Sequence, residues 1–251
     1  MTKRKYHLKK DPIDLRDHVF KSTAVVHPSE FPENIDLRDK MTPIVDQGQL
    51  GSCTANAMAS GLREYQVSEA GYPSVRLSRL YLYYKERELE GTVNEDSGAF
   101  IRDGMRVLAR NGVCPESDFP YEIERFTEKP TTMAEADAVN YRISSYHRVT
   151  DLNGVKAALV EGLPVVLGMT VYESFESEKV AQTGKVPTPK TYKERELGGH
   201  AMLIVGYKKI SRTEYLIVRN SWGEGWGDKG YCYIPASFIS KGIINDMWTG
   251  K

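Results

Sequence analysis

The chain has 251 residues, which is enough for one large domain or for two lobes that share a cleft. Lysine plus arginine and aspartate plus glutamate number 34 each, so the net charge favours neither a nucleic-acid partner nor a membrane partner. The sequence has no apolar run of about 18 residues or more, which argues against a membrane-spanning helix. Three cysteines are too few for a disulfide scaffold if one of them is a nucleophile, and this usage fits a reducing compartment.

Residues 1–30 are predicted to form an extended arm ahead of a compact domain over 31–251. The basic start of the arm lacks the apolar centre of a secretory signal peptide, so we expect a cytoplasmic protein or one exported without a cleavable signal. The segment Asp11–Asp17 has no helical period. We hypothesise that the arm lies along or near a cleft of the domain and limits access to it.

Helical periodicity dominates the first half of the domain and strand patterns dominate the second. The predicted helices are 53–70, 78–88, 99–110 and a shorter one over 152–160. The predicted strands are 163–171, 201–207, 215–219 and 230–234. This order indicates an α+β chain, with a helical lobe mainly over 45–140 and a β lobe mainly over 141–240.

The segment from Gln47 to Cys53 places a thiol in the first turn of a predicted helix, for which Ser52 is the expected N-cap. A thiol is a weak nucleophile until it becomes a thiolate, and both a helix N-terminus and a nearby imidazolium lower its pKa. An amide close to the thiol can stabilise charge that develops opposite it. We therefore interpret Cys53 as a nucleophile and Gln47 as the amide that stabilises the charge developing opposite it.

His200 is the best candidate for the base among the five histidines. It follows two glycines and opens a predicted strand, which fixes its backbone and leaves an open approach. An imidazole also needs a group that fixes its tautomer and orientation, and the amide oxygen of Asn220 is the candidate. Trp222 and Trp226 are large enough to shield that hydrogen bond from water.

These residues, in this order, resemble the signature of the papain family of cysteine peptidases. The blocks that carry the resemblance are Asn34–Arg38, Thr42–Gly48, Gly199–Ala201 and Asn220–Gly223. In this family a histidine and an asparagine follow the cysteine by roughly 130–150 residues. Here His200 lies 147 residues and Asn220 lies 167 residues after Cys53 (200 − 53 and 220 − 53), so the second interval is slightly long.

The resemblance implies a papain-like two-lobe fold, in which a cleft separates the helical lobe from an antiparallel, β-barrel-like lobe. It implies that Cys53 attacks the scissile carbonyl of a polypeptide and that His200 relays protons. It also implies that Asn220 orients His200, and that the Gln47 side chain and the backbone N–H of Cys53 form an oxyanion hole. The implied substrate-binding residues are Gly98, Gly199 and Trp222.

The chain departs from the family pattern near the nucleophile. Leu50 stands where secreted members usually have a cysteine, and residues 94–98 lack its partner, so the usual disulfide is predicted to be absent. Thr54 replaces the usual tryptophan after the nucleophile, and Leu37 replaces a tryptophan near the start of the domain. We therefore predict a bacterial-type member whose site is held in shape by packing.

The leading hypothesis is a thiol endopeptidase, because no inserted histidine pair or charged clamp marks an exopeptidase. A second hypothesis is an amidase or acyl-transferase with a narrower substrate, since the polar stretch 174–197 is predicted to be a long loop that restricts entry. A third is a non-catalytic peptide-binding protein on the same fold, against which the intact candidate residues argue. No metal-binding or nucleotide-binding motif stands out, so we expect no cofactor and no metal site.

Overall fold

The computed structural model describes residues 4–23 and 28–251. Residues 1–3 and 24–27 of the predicted arm lie outside the described part of the chain. The α-helices are Cys53–Ala55 (α1), Glu64–Glu69 (α2), Arg79–Glu90 (α3), Ile101–Arg110 (α4), Thr132–Ala138 (α5), Leu152–Val160 (α6), Glu178–Thr183 (α7) and Ser237–Ser240 (α8). A π-helical segment, Asn56–Arg63, joins α1 to α2 without a break, which confirms the predicted helix over 53–70.

Seven strands of the described chain form one antiparallel sheet. They are Ile35–Asp36 (β1), Tyr146–Arg148 (β2), Val165–Tyr172 (β3), Glu196–Ile210 (β4), Thr213–Arg219 (β5), Tyr231–Pro235 (β6) and Ile244–Gly250 (β7). The order across the sheet is β2-β7-β3-β4-β5-β6, and β1 pairs with β4. Across residues 4–23 and 28–251 no ladder joins β2 to β6, so the sheet is open, whereas a barrel-like lobe was predicted.

The reason is the length of β4. Its first half pairs with β3 and its second half pairs with β5, so the strands are staggered along β4 instead of closing around it. The π-helical segment packs on this strand at Gly61, where an added Cβ would lie 2.9 Å from Leu203 Cδ2. One hydrophobic cluster runs through the helices and the sheet. The predicted α+β class is confirmed, and the helices and the sheet share a single core.

The central strands position the candidate base. In the ladder between β3 and β4, His200 lies opposite Met169 and Ala201 lies opposite Gly168, while Gly168 lies opposite Asp246 of β7 on its other side. His200 was expected to open a strand, but β4 begins four residues earlier, at Glu196. The histidine backbone is therefore held by strand pairing.

Several elements lie where the sequence pattern indicated none, and β7 and α7 are two of them. Strand β7 follows residue 240 and is the second strand from one edge of the sheet, between β2 and β3. Helix α7 lies inside the stretch 174–197, which was predicted to be a loop. The Ser177 side chain accepts a hydrogen bond from the Val180 backbone at its start, and Val180 is buried. Among the described helices, none has the length and apolar character needed to cross a bilayer.

Candidate active site

Cys53 is the first residue of α1, and its side chain is completely buried. The backbone of Ala201, in the strand β4 that carries the candidate base, lies close enough to the thiol to lower its pKa, although burial has the larger and opposite effect. The expected N-cap is wrong: within the described chain Ser52 forms no capping bond, because its φ of −93° and ψ of 28° are not the extended values of an N-cap. Its Oγ instead lies 2.6 Å from Tyr121 Oη and accepts from Asn56 Nδ2 at 3.0 Å.

His200 and Asn220 form a buried hydrogen-bonded pair. The Oδ1 atom of Asn220 lies 2.8 Å from His200 Nε2 and also accepts from the backbone N–H of Ser221 at 2.8 Å. Because a backbone N–H only donates, that amide atom is the oxygen, and His200 Nε2 must therefore carry a proton. His200 Nδ1 is buried and has no hydrogen-bond partner in the described part of the chain. The neutral ring thus has a free lone pair on Nδ1.

Aromatic rings cover this pair, as the two tryptophans were predicted to do. Trp222 stacks on His200 with centroids 5.0 Å apart and an interplanar angle of 27°. Trp226 meets Trp222 edge-on at 4.9 Å, and Phe175 packs against both tryptophans at 5.6 and 5.7 Å. Such a cover excludes water that would compete for the hydrogen bond between His200 and Asn220.

Gln47 is buried and its amide is fixed at both ends. Ser221 Oγ donates to Gln47 Oε1 at 2.6 Å, and Gln47 Nε2 donates to the Leu50 carbonyl at 3.0 Å. Since a carbonyl only accepts, the nitrogen must face Leu50, which leaves the second N–H of Nε2 available. Ser221 also follows Asn220, so one short segment both fixes Gln47 and supplies the hydrogen-bond partner of His200.

Burial sets the protonation of the thiol and the imidazole. It raises the pKa of Cys53 to about 12 and lowers the pKa of His200 to about 4. The expectation that the helix start and an imidazolium lower the thiol pKa is therefore not met in this state. Desolvation exceeds those effects because neither group reaches water. At neutral pH the pair consists of a thiol and a neutral imidazole.

The described part of the arm runs between the two sides of this site. The backbone N–H of Leu8 donates to Gly199 O, and that of Lys9 donates to Ala99 O, both at 3.1 Å. Gly98 has a φ of +66°, and a Cβ added to it would lie 1.8 Å from the carbonyl oxygen of His7. All three residues predicted to bind substrate contact the arm, since Trp222 lies against its first described side chains.

Two arm side chains lie at the candidate site, and one of them contacts His200. The Tyr6 ring meets His200 edge-on at 5.9 Å and Trp222 at 6.1 Å, and its hydroxyl donates to Glu176 at 2.6 Å. The Arg4 guanidinium lies 5.0 Å from the Trp222 centroid and pairs with Asp46 at 3.2 Å. The arm thus contacts the ring of His200 as well as the rim of the site.

A buried charge network, which sequence reasoning did not identify, anchors the arm further along. Trp248 Nε1 donates to Asp11 Oδ2 at 2.7 Å, and the backbone N–H of Asp11 donates to Asp246 at 2.9 Å. Arg148 lies 3.3 Å from Asp11, 3.2 Å from Asp246 and 2.8 Å from Asp17. Three carboxylates therefore share one guanidinium at the base of the arm.

Comparison with known proteins agrees with this architecture. The model of the papain family cysteine proteases matches residues 31–248. A peptidase C1-like protein of Acanthamoeba polyphaga mimivirus is 37% identical over 244 residues, which are 91% of this chain and 78% of that protein. Cysteine proteinase 1 of Entamoeba histolytica is 31% identical over 222 residues, covering 86% of this chain and 68% of the relative.

A solved structure extends the likeness to the arm. Xylellain, a cysteine protease from Xylella fastidiosa, superposes with a TM-score of 0.88 at 37% identity, and the match covers 98% of this chain and 95% of xylellain. Cys53, Cys114 and Cys232 are all free, as predicted for a member without the usual disulfides. The papain-like fold and the cysteine peptidase class are confirmed, and neither alternative function is favoured. The chain belongs to the papain family of cysteine proteases.

Proposed function

We propose that the chain cleaves peptide bonds inside polypeptides, with Cys53 as the nucleophile and His200 as the proton carrier that Asn220 orients. The observation that carries this proposal is the 2.8 Å contact between His200 Nε2 and Asn220 Oδ1, because it fixes the proton on Nε2 and frees Nδ1. A ring held in this tautomer can accept a proton from the thiol and later return it.

In the acylation step, the Cys53 thiol transfers its proton to His200 Nδ1 and the sulfur attacks the carbonyl carbon. The carbonyl oxygen becomes an oxyanion, which the free N–H of Gln47 Nε2 and the backbone N–H of Cys53 are proposed to stabilise. The intermediate collapses, the C–N bond breaks, and His200 gives its proton to the leaving amine. A thioester remains on Cys53.

In the deacylation step, His200 accepts a proton from water while the water oxygen attacks the thioester carbonyl. This attack produces a second oxyanion, which the same two N–H groups are proposed to stabilise. The C–S bond then breaks, the carboxylic acid leaves, and the proton returns to the sulfur. No cofactor enters this sequence of steps.

We further propose that the docked arm limits access to this site. Its main chain bonds to Gly199 on one side and Ala99 on the other, and Tyr6 packs on the His200 ring. Burial is the largest cause of the lowered pKa of His200, and the positive charge of Arg4 adds to it. Release of the arm hydrates the pair, which favours thiolate and imidazolium, the reactive combination.

The path of the arm supports cleavage inside a chain over removal of end residues. From Leu8 the arm continues to Asp11 in one direction and to Arg4 in the other, and both ends make contacts beyond the catalytic pair. A groove that holds an extended segment on both sides of the reactive centre also holds an internal stretch of substrate.

A peptide-based, thiol-directed inhibitor tests the nucleophile, with intact mass as the readout. We expect one adduct on the wild-type chain and none on Cys53→Ala; equal labelling of both would reject Cys53. An internally quenched peptide with blocked ends tests the position of cleavage. Turnover of free-ended peptides alone would reject the endopeptidase assignment.

The role of the arm is tested by the triple substitution Arg4→Ala, Lys5→Ala and Tyr6→Ala in the full chain, called here the arm variant. We expect the arm variant to label faster than wild type. The matched control is Arg16→Ala, on the same arm, because Arg16 is 89% exposed and pairs with Asp14 two residues away. Equal labelling rates for wild type and the arm variant would reject an access-limiting arm.

A further inference from the structure

Glu86 on α3 is a completely buried acid close to the candidate nucleophile. Its Oε2 accepts a 2.7 Å hydrogen bond from the hydroxyl of Thr54, the residue that follows Cys53. Its Oε1 is also buried and has no hydrogen-bond partner within the described ranges. A buried carboxyl oxygen without a partner is uncommon in folded proteins and calls for an explanation.

The fold makes space for this carboxyl group. Helix α4 approaches α3 at Gly104, where an added Cβ would lie 2.4 Å from Glu86 Oε1 and 2.9 Å from Met58 Sδ. Three helical segments therefore meet around the acid: α3, α4 and the π-helical segment that follows α1. Any side chain at residue 104 would displace either the carboxyl group or Met58.

The charged groups that face Glu86 do not compensate a negative charge there. Glu90 on α3 and Asp103 on α4 are both acidic, and Lys9 of the arm pairs with Glu90 at 2.6 Å. Arg87 is a nearby cation, but its guanidinium donates to backbone carbonyls; these belong to Tyr83, Val93, Glu95 and Phe126. A carboxylate in such surroundings would be a buried, unpaired charge.

Burial is the largest cause of the shift in Glu86 and raises its pKa well above the usual value for a glutamate. Burial therefore favours the protonated, uncharged form of this acid over its carboxylate. An ionised Glu86 would raise the pKa of the Cys53 thiol, since two negative charges in a low-dielectric site repel one another. The uncharged form avoids this repulsion and keeps the hydrogen bond to Thr54.

Resting on the nucleophilic role proposed for Cys53, we propose that Glu86 is a positioning residue. As an uncharged acid it holds Thr54, and through Thr54 the turn that carries Cys53, without placing a second anion beside the thiolate. This pair lies where the chain departs from its family, since Thr54 replaces the usual tryptophan and Leu50 the usual cysteine. A buried hydrogen bond from α1 to α3 therefore holds the segment of the nucleophile in a chain whose cysteines are all free.

The test measures the rate at which iodoacetamide alkylates Cys53 between about pH 6 and pH 10, in the full chain that carries the arm variant. Glu86→Ala and Thr54→Val each remove the hydrogen bond, and we expect alkylation at neutral pH to slow by about tenfold. Glu86→Gln and Thr54→Ser each retain the bond and should stay within about twofold of the parent chain. Glu88→Gln is the matched control, since Glu88 lies on the same helix and is 40% exposed.

The pH profile separates positioning from a merely structural role. Because Glu86→Gln retains the hydrogen bond and cannot ionise, its alkylation rate should rise with pH at least as steeply as that of the parent chain, in which ionisation of Glu86 opposes thiolate formation. A lower melting temperature with an unchanged alkylation profile in Glu86→Ala and Thr54→Val would overturn the proposal. Failure of the parent chain to label at Cys53 would instead reject the proposed catalytic role itself.

Discussion

The ring of Tyr6 stands edge-on to the ring of His200, with centroids 5.9 Å apart and an interplanar angle of 87°. Tyr6 also lies 6.1 Å from Trp222, so a residue near the start of the chain contacts both the imidazole and the tryptophan that stacks on it. His200 is therefore in contact with one aromatic ring from the domain and one from the arm. Removal of the arm ring changes the surroundings of the candidate base without altering any residue proposed to take part in the chemistry.

Tyr6→Ala should accelerate both inhibitor labelling and peptide turnover. An edge-to-face aromatic pair contributes about 0.5–1.5 kcal/mol beyond the buried area, so its loss should weaken arm docking by about 2- to 12-fold. The control is Tyr6→Phe, which keeps the ring and removes only the hydrogen bond to Glu176. Equal acceleration by the two variants would show that the hydroxyl, and not the ring, holds the arm.

Asn220→Ala should reduce kcat/KM by about 5- to 150-fold, because it leaves the buried Nε2–H of His200 without an acceptor at a cost of about 1–3 kcal/mol. Asn220→Asp keeps an acceptor and adds a negative charge, which favours the imidazolium. The acid limb of the pH profile of kcat/KM for Asn220→Asp should therefore move to higher pH. Wild-type profiles in both variants would contradict an orienting role for Asn220.

The losses of activity caused by Gln47→Ala and by Ser221→Ala should differ in size. Loss of an oxyanion donor costs about 2.7–4 kcal/mol of transition-state stabilisation, so Gln47→Ala should lower kcat by about 100- to 1,000-fold. Ser221→Ala removes only the hydroxyl that fixes Gln47 Oε1. We expect this variant to lose about 0.5–1.5 kcal/mol of transition-state stabilisation. Steady-state kinetics on one blocked peptide measures both effects, and an equal loss in the two variants would contradict this order.

The candidate catalytic residues were predictable because few residue types can fill each chemical role. The structure links them through one segment: Ser221 bonds to Gln47, and Asn220 bonds to His200. Their protonation was not predictable. It depends on complete burial of Cys53, which arises from tertiary packing that no local pattern reveals.

The arm also shows that local sequence does not predict burial. The pentapeptide Ile-Asp-Leu-Arg-Asp occurs at 13–17 and again at 35–39. In both copies the first aspartate pairs with the arginine two residues later at 2.7 Å. Yet Leu15 is 97% exposed and Leu37 is 9% exposed, because only the second copy bonds to β4. Local sequence determines the turn, and the surrounding fold determines which copy is buried.

The pH dependence of arm docking follows from Asp11 and Asp246. Burial, followed by repulsion from Asp246, raises the pKa of Asp11 to about 6, and burial also raises the pKa of Asp246. The other charged groups that face the pair are Arg102, Arg148, Asp17 and Lys10. A carboxyl group with a raised pKa in the docked state binds its proton more tightly there than after release. Docking must therefore strengthen as the pH falls through about 6 and weaken as it rises.

The expected measurement is the labelling rate of the arm variant divided by that of wild type, since this ratio cancels the ionisation of Cys53 itself. The ratio should be larger near pH 4.5 than near pH 7. The raised pKa of Asp11 limits the change to about 100-fold, equivalent to about 3 kcal/mol. Asp11→Asn should flatten the dependence, because the residue that replaces the acid does not titrate. A ratio that falls on acidification would mean that Arg148 stabilises the ionised pair more than burial and mutual repulsion destabilise it, and the arm would then be released by acid instead of held by it.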